Sequence, residues 1–376
     1  MPLPHATTTR RVGLRVHASA GEETPATIST RNVSLDDFLD RSANVANETR
    51  AAAALLRELV KAALQVTDVV SLGYITEAIG ASLGAANGDG DTQKSLDITA
   101  NEIFVNALRN APVAAVLFEE STSPFCLDPA APLAVAIDPL DGSSNLEANV
   151  SIGTIFAIFP ALAHATEPAN HFLRPGHEQI AAGFIIYGPQ TSLVFTLGDG
   201  AHVFTLDRQA GVFQLAIPKL AIPQHSTEYA VNASNYRHWD ESMRAYVDDC
   251  IRGADGPLSQ DYNMRWLASL VADAYRILVR GGVFLYPGDQ RRAYVKGRLR
   301  LIYEANPIAF LVEQAGGGAT DTVQRILDIK PRELHARTPL VFGSSAAVKR
   351  ISEYHTDPQF SAERAPLFFQ RGLFRR

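Results

Sequence analysis

Between about Asn47 and Gly73, Leu55, Leu56, Leu59, Val60, Ala63 and Leu64 recur at helical spacing, which predicts a long amphipathic helix. Upstream, Ser34 ahead of Leu35-Asp36-Asp37-Phe38 has the composition of a helix N-cap. From Val113 the pattern changes. Val113–Phe118, Leu133–Ile137, Thr154–Phe159, Ala181–Tyr187, Ser192–Leu197 and Ala201–Leu206 are short apolar runs punctuated by Gly, Pro and Asp, and they read as strands of a sizeable sheet. Pro218–Tyr229 holds two prolines and little periodicity, and a domain boundary is placed there. Beyond it, Met264–Val279 predicts a helix with Leu267, Leu270, Val271, Ala274 and Leu278 on one side and Gly281-Gly282 as its stop. Val283–Tyr286 and Leu299–Tyr303 read as strands; Pro307, followed by Ile308, Phe310 and Leu311, opens a helix that closes at Gly316-Gly317-Gly318. The sum is an α/β architecture of layered helices and sheets.

At 376 residues, 46% hydrophobic and 20% charged, the chain suits two globular domains rather than disorder. A net charge of −6 argues against a nucleic-acid partner. No apolar run approaches the roughly eighteen residues of a membrane span, so no membrane partner is expected. Cys126 and Cys250 are too few and too far apart for a disulfide framework or a four-cysteine zinc site, and a reducing, cytoplasmic setting fits. Residues 1–20 lack acids and carry Arg10, Arg11 and Arg15, a composition shared by transit peptides and disordered tails. Without an amphipathic apolar face beside the arginines, a disordered tail over residues 1–30 is expected.

The chemistry starts at Asp138-Pro139-Leu140-Asp141-Gly142-Ser143-Ser144-Asn145, which ends one of the apolar runs. Its two carboxylates offer hard oxygen ligands to Mg²⁺, and Gly142, Ser143 and Ser144 present small side chains and backbone N–H groups to an anion. A tight Asp-Gly turn is the competing reading. Further acids stand where strand ends or turns are expected: Asp91 and Asp97, the adjacent Glu119 and Glu120, and Glu304. Any one alone reads as solvated surface charge. Glu119 and Glu120 behind an apolar strand, however, repel each other unless solvated or bridged by a cation. A set of acids with no nucleophilic cysteine suits phosphoryl transfer to water. That reaction is so slow unaided that enzymes accelerate it by up to about 10²¹-fold, and metal ions with a nonligating carboxylate base are the means. The ten histidines are scattered without ligand spacing.

These segments resemble class I fructose-1,6-bisphosphatase, in its bacterial-type branch. The likeness runs from about Ser34 to Ile351. It rests on Asp138–Asn145 with Val150–Phe156, Gly90-Asp91 with Lys94 and Asp97, and Glu119-Glu120. It continues through Asn232–Asn235, Arg265–Ser269 with Val271-Ala272-Asp273, Leu285-Tyr286-Pro287, and Leu299–Glu304 with Asn306-Pro307. The acidic turn alone implies only the wider superfamily of Mg²⁺-dependent, Li⁺-sensitive phosphatases. The resemblance implies a layered αβαβα sugar-phosphatase fold with two mixed-sheet domains, over 31–224 and 225–376. It implies Mg²⁺-dependent hydrolysis of fructose 1,6-bisphosphate with two or more Mg²⁺ ions per subunit, for which Mn²⁺ substitutes. Glu119, Asp138, Asp141, Glu304 and the Leu140 carbonyl are then the expected ligands. By the same resemblance Asp97 with Glu120 is expected to activate water, and Asp91 to join a further metal or the water network. Asp141, Gly142, Ser143 and Ser144 are expected to hold the 1-phosphate, and Asn232, Tyr286 and Arg298 the 6-phosphate and sugar. Arg265 resembles the family arginine that reaches a neighbouring subunit's site, which implies a homo-oligomer, a tetramer being favoured over a dimer.

Departures from the family pattern bear on affinity and control. Arg298 stands where lysine is usual, replacing a point charge by a planar fork, and Trp266 stands where tyrosine is common. At the places that contact AMP in inhibited relatives this chain has Pro132, Leu133 and Pro160, so weak or absent AMP inhibition is expected. Sedoheptulose 1,7-bisphosphate is the alternative substrate, and a non-catalytic sugar-phosphate sensor is a further alternative. A gluconeogenic and a Calvin-cycle role both remain open.

Overall fold

The computed structural model describes residues 33–43, 46–72 and 94–357, all within one compact unit. The expected N-terminal tail and Asp91 lie outside the described residues.

The N-terminal helices α1 (Leu35–Ser42) and α2 (Asn47–Leu72) form where the pattern predicts. Ser34 Oγ accepts the Asp37 N–H at 3.1 Å while the Asp37 carboxylate receives the Ser34 hydroxyl at 2.7 Å, a reciprocal cap that satisfies otherwise orphaned groups. A third helix, α3 (Lys94–Leu108), follows.

Eight strands build the first sheet: β1 (Val113–Phe118), β2 (Phe125–Cys126), β3 (Leu133–Asp141), β4 (Ile152–Pro160), β5 (Ala181–Tyr187), β6 (Ser192–Thr196), β7 (Ala201–Asp207) and β8 (Val212–Leu220), ordered β2-β1-β3-β4-β5-β6-β7-β8. Only β1 and β3 pair in parallel. The second sheet orders β9 (Glu228–Val231), β10 (Asn263–Met264), β11 (Val283–Tyr286), β13 (Gly317–Thr320) and β15 (Leu340–Ser344) as β10-β9-β11-β15-β13. Short β12 (Leu299–Arg300) pairs with β14 (Arg337–Thr338). The remaining helices are α4 (Glu241–Arg252), α5 (Leu270–Arg280), α6 (Asn306–Gln314) and α7 (Ser345–Thr356).

Side-chain alternation along the strands fixes the layers. Ile185 and Tyr187 of β5 pack with Leu56, Leu59 and Phe104 of α2 and α3. Their neighbours Phe184 and Ile186 turn to the opposite face, against α5 and α6. Phe284 of β11 closes that same middle layer from the second sheet. Val283 and Leu285 face outward onto Met243 and Tyr246 of α4 and Ile351 of α7. The order is therefore helix, sheet, helix, sheet, helix, with both sheets mixed.

Three local expectations are corrected. Pro218, expected in an aperiodic linker, lies inside β8; this is an edge strand, where a residue without an N–H leaves no ladder bond broken. The helix expected from Met264 starts only at Leu270. Ser269 caps it, Ala268 has φ +60°, and Asp273 Oδ2 accepts the Leu267 N–H at 3.1 Å, folding the preceding residues back against the first turn. The strand expected over Leu299–Tyr303 stops at Arg300, and Leu301–Ala305 winds into a π-helical turn running into α6. A short buried apolar run does not by itself distinguish strand from helix.

Gly153 of β4 shows how tightly these layers approach. A Cβ there would lie 2.3 Å from the Ile185 carbonyl oxygen and 2.8 Å from Val271 Cγ2. Gly153→Ala should therefore lower unfolding free energy by about 1–3 kcal/mol, measured as the urea midpoint; an unchanged midpoint would show that β4 and α5 are free to separate.

Candidate active site

Parallel pairing of β1 and β3 brings their carboxyl ends to one edge, the usual place for a site in such sheets. Phe118 is in register with Ile137 and the Glu119 N–H donates to the Ile137 carbonyl at 3.1 Å, so Glu119 emerges beside Asp138. Asp138 and Asp141 are an odd number of residues apart and would point to opposite faces of a regular strand. A bulge prevents this: Asp138 pairs with Ile155 and Asp141 with Gly153, so β3 spends one residue more than β4. Thr154 Oγ1 donates to the displaced Pro139 carbonyl at 2.7 Å, and the Leu140 N–H donates to Asp138 Oδ1 at 3.1 Å.

The π turn supplies the third acid. It winds Glu304 back so that its carboxylate accepts the Arg300 backbone N–H. Oxygens of Asp138, Asp141 and Glu304 lie within 4.8 Å of one another, and all three residues are buried. Together with Asp97, Asn101, Glu119, Glu120, Pro139 and Leu140 through Ser144, they line one cavity of about 220 Å³. Gly142, at φ +76°, turns the chain into a 3₁₀ turn over Ser143–Asn145; the first amides of such a turn have no partner within it.

Burial, reinforced by Glu119, Asp141 and Glu304, pushes the Asp138 carboxyl well above its ordinary range. Burial likewise raises Glu304, with Glu119 and Asp141 adding to it and Arg300 opposing. For Asp141, burial outweighs the Val271 N–H, which donates to its Oδ2 at 3.3 Å, and the group rises to about 7. Asp97 rises to about 6 through burial and the Glu120 charge, against the Ser143 hydroxyl 3.5 Å from its Oδ2. Arg300 Nε, 3.4 Å from Glu119 Oε1, is one cation against this set. The surplus of crowded oxygen donors fits a hard divalent cation.

The residues expected at the far phosphate form a separate cluster. Tyr286 lies against Trp266, ring centroids 5.8 Å apart, with the Arg298 guanidinium 5.9 Å from its own ring centre. Asn232 opens the 3₁₀ segment Ala233–His238, accepting the Ser234 N–H at 3.2 Å. That segment meets the loop before Arg298 through Asn235, which accepts from Arg291 at 2.8 Å, and through His238, whose carbonyl accepts the Gln290 N–H at 3.0 Å. None of Asn232, Arg265, Tyr286 or Arg298 lines the acidic cavity. Asn145 Nδ2, donating to the Ala268 carbonyl at 2.7 Å, joins the cavity loop to the Arg265–Ser269 loop. Arg265 is exposed, its Nε 3.5 Å from Glu228.

Two cavity-side residues escaped the sequence reading. Asn101 stands one helical turn after Asp97 on α3, and its buried Oδ1 lacks a partner among the described residues; the i, i+4 spacing from Asp97 was the available signal. Arg300 was visible only as part of an apolar strand.

Comparison with known proteins shows the family. The family model "Fructose-1-6-bisphosphatase, N-terminal domain" matches residues 35–218, and "Fructose-1-6-bisphosphatase, C-terminal domain" matches 222–356. Fructose-1,6-bisphosphatase class 1 of Rhizobium meliloti (strain 1021) is 54% identical over 328 residues, covering 87% of this chain and 94% of that protein. Its namesake in Rhodopseudomonas palustris (strain TIE-1) is 48% identical over 347 residues, covering 92% and 98%. The crystal structure of Leishmania major fructose-1,6-bisphosphatase in holo form superposes with a TM-score of 0.77 at 31% identity, covering 86% of this chain and 99% of that one. The chain belongs to the class 1 fructose-1,6-bisphosphatase family and is a phosphatase of the hydrolase class.

Proposed function

We propose that the protein hydrolyses the 1-phosphate of fructose 1,6-bisphosphate, giving fructose 6-phosphate and inorganic phosphate, with Mg²⁺ as its metal. The observation that carries this reading is the buried Asp138, Asp141 and Glu304 set opening onto the Gly142–Ser144 turn, in a chain of this family. Asp138, Asp141, Glu304, Glu119 and the Leu140 carbonyl are the proposed metal-binding groups. When bound, two or more Mg²⁺ ions, or Mn²⁺ in their place, supply Lewis-acid stabilisation of the charge on the transferring phosphoryl group.

The chain's own residues do the rest. Backbone N–H groups of Asp141–Ser144 hold the phosphoryl oxygens. Asp97, held near 6 by burial and Glu120, is matched to accept a proton from the attacking water at neutral pH. As the water oxygen bonds to phosphorus, the bond from phosphorus to the sugar oxygen breaks, and that oxygen leaves as an alkoxide that takes up a proton to become the hydroxyl of fructose 6-phosphate. Asn232, Tyr286 and Arg298 take the 6-phosphate and sugar. Asp91, outside the described residues, is assigned to a further metal or the water network. Arg265, exposed on its loop, is assigned to a neighbouring subunit's site in a homo-oligomer, a tetramer being favoured. We place the domain division between 224 and 225 and the enzyme in the cytoplasm; among the described residues no helix is long and apolar enough to cross a membrane.

The purified protein should release phosphate from fructose 1,6-bisphosphate with Mg²⁺ and not after chelation. No release, or a higher kcat/KM on sedoheptulose 1,7-bisphosphate, would overturn the assignment. Asp138→Ala should cut kcat about a thousandfold, comparable to losing a major electrostatic stabiliser. AMP titration should leave the rate nearly unchanged, since Pro132, Leu133 and Pro160 offer it no cation.

The raised carboxyls also set a pH dependence. A buried acid whose pKa rises on folding, as Asp141 does from 3.8 to about 7, favours the folded chain while protonated and costs it stability as pH climbs through that window. Metal binding to ionised ligands reverses the cost and releases protons. The rise in Tm on adding Mg²⁺ should therefore be larger at pH 8 than at pH 5.5, by differential scanning fluorimetry. Equal rises at both pH values would count against this carboxylate cluster as the metal site.

A further inference from the structure

The loop between Tyr286 and Arg298 carries an aromatic ring between two guanidinium groups. The Arg298 guanidinium carbon lies over the Tyr294 ring, 3.7 Å from its centre, and that of Arg291 lies 4.8 Å from the same centre. The two arginines differ in their charge partners. Arg291 Nε approaches both Asp289 oxygens, at 3.0 and 3.1 Å, and its Nη2 reaches Asn235. Arg298 makes no ion pair among the described residues. Arg291 is thus pinned on Asp289, whereas Arg298, whose charge acts on the same carboxylate from farther off, has no acid within ion-pair distance among the described residues and leaves its fork open to an external anion.

Tyr294 is itself held. Its carbonyl accepts the N–H groups of Asp289 at 3.1 Å and Gly297 at 2.9 Å, and its own N–H donates to the Arg291 carbonyl at 2.8 Å. The ring is therefore presented by a loop closed on its own backbone and tied through Asn235 and His238 to the segment that begins at Asn232. A guanidinium needs such a support more than an ammonium does. Its planar fork meets phosphate oxygens two at a time only when its plane is set, and stacking on an aromatic face sets it.

We propose that Tyr294 is a positioning residue for substrate specificity: its ring face fixes the Arg298 guanidinium for bidentate capture of the phosphate remote from the reacting one. The inference rests on the assignment of Arg298 to the 6-phosphate. Tyr294 touches no reacting atom; it acts through Arg298, and the ring face rather than the hydroxyl does the work.

The test is steady-state kinetics on the Mg²⁺-loaded enzyme. Tyr294→Leu should raise KM for fructose 1,6-bisphosphate about threefold to tenfold, the range a partly desolvated cation–π contact supports, with kcat within about twofold. Tyr294→Phe should restore the wild-type KM. In an Arg298→Lys background the same Tyr294→Leu change should shift KM by less than twofold, because a lysine has no plane to orient. Fructose 1-phosphate, which lacks the remote phosphate, should be hydrolysed with the same kcat/KM by Tyr294→Leu and wild type. An unchanged bisphosphate KM in Tyr294→Leu, an undiminished effect in the Arg298→Lys background, or failure of Phe to rescue would each overturn the role of the ring. An Arg298→Ala variant separates the two levels: a raised bisphosphate KM there, with none in Tyr294→Leu, removes Tyr294 alone, whereas an unchanged KM there removes the Arg298 assignment.

Discussion

Mutual repulsion among buried carboxylates is the constraint around which the acidic cavity is organised. Glu119, Asp138, Asp141 and Glu304 are gathered on one cavity by three unrelated devices: a parallel strand pair that sets Glu119 beside Asp138, a bulge that unites Asp138 with Asp141, and a π turn that brings in Glu304. Each device departs from regular structure or exposes strand ends, and none would persist on local preference alone. Burial between the first sheet and the elements over it holds them. Tyr303 and Ile302 of the π turn pack onto Ala134, Ala136 and Ala157 of β3 and β4, so the same apolar contacts that close the core also press Glu304 against its like-charged neighbours. Hydrophobic burial is non-directional and roughly proportional to area, which lets it drive together groups that electrostatics alone would separate.

How much of this was legible in the chain depended on the range of the interaction. The Ser34 cap, the long second helix and most strands of the first sheet follow from local spacing, and the structure keeps them. The acids were found as residues because clustered carboxylates are conspicuous beside apolar runs. Their convergence was not readable. Regular alternation would part Asp138 from Asp141, and only the pairing with β4 shows the extra residue that unites them. Leu299–Tyr303 misled for a related reason: five residues of which all but the half-buried Arg300 are apolar and buried carry no period, and the winding goes with Glu304 reaching back to the Arg300 amide. Met264–Ser269 looked like the start of a helix because Leu267 fits its stripe, yet Asp273 and Ser269 divert that backbone into a loop.

The second cluster is built on different physics. Around the acidic cavity charges of one sign are crowded and desolvated. Around Arg298 the chain instead uses aromatic faces and backbone turns to orient a cation that has no carboxylate within ion-pair distance among the described residues. The two regions meet through the Asn145 side chain on the Ala268 carbonyl. A neutral hydrogen bond thus links the cavity loop to the loop carrying Arg265 and Trp266.

Below that second loop, Glu228 is surrounded by arginines. Burial would raise its carboxyl, but Arg276 and Arg280, each 2.7 Å away, hold it below the ordinary range, and Arg265 approaches at 3.5 Å. Arg276 also bonds Asp273. Three guanidinium groups thus stand against two carboxylates in this cluster, within a chain whose net charge is −6. Cations clustered in this way act on dissolved anions as well as on their bonded carboxylates. The same arginines that stiffen the loop therefore also carry a longer-range influence, one that shortens as salt rises.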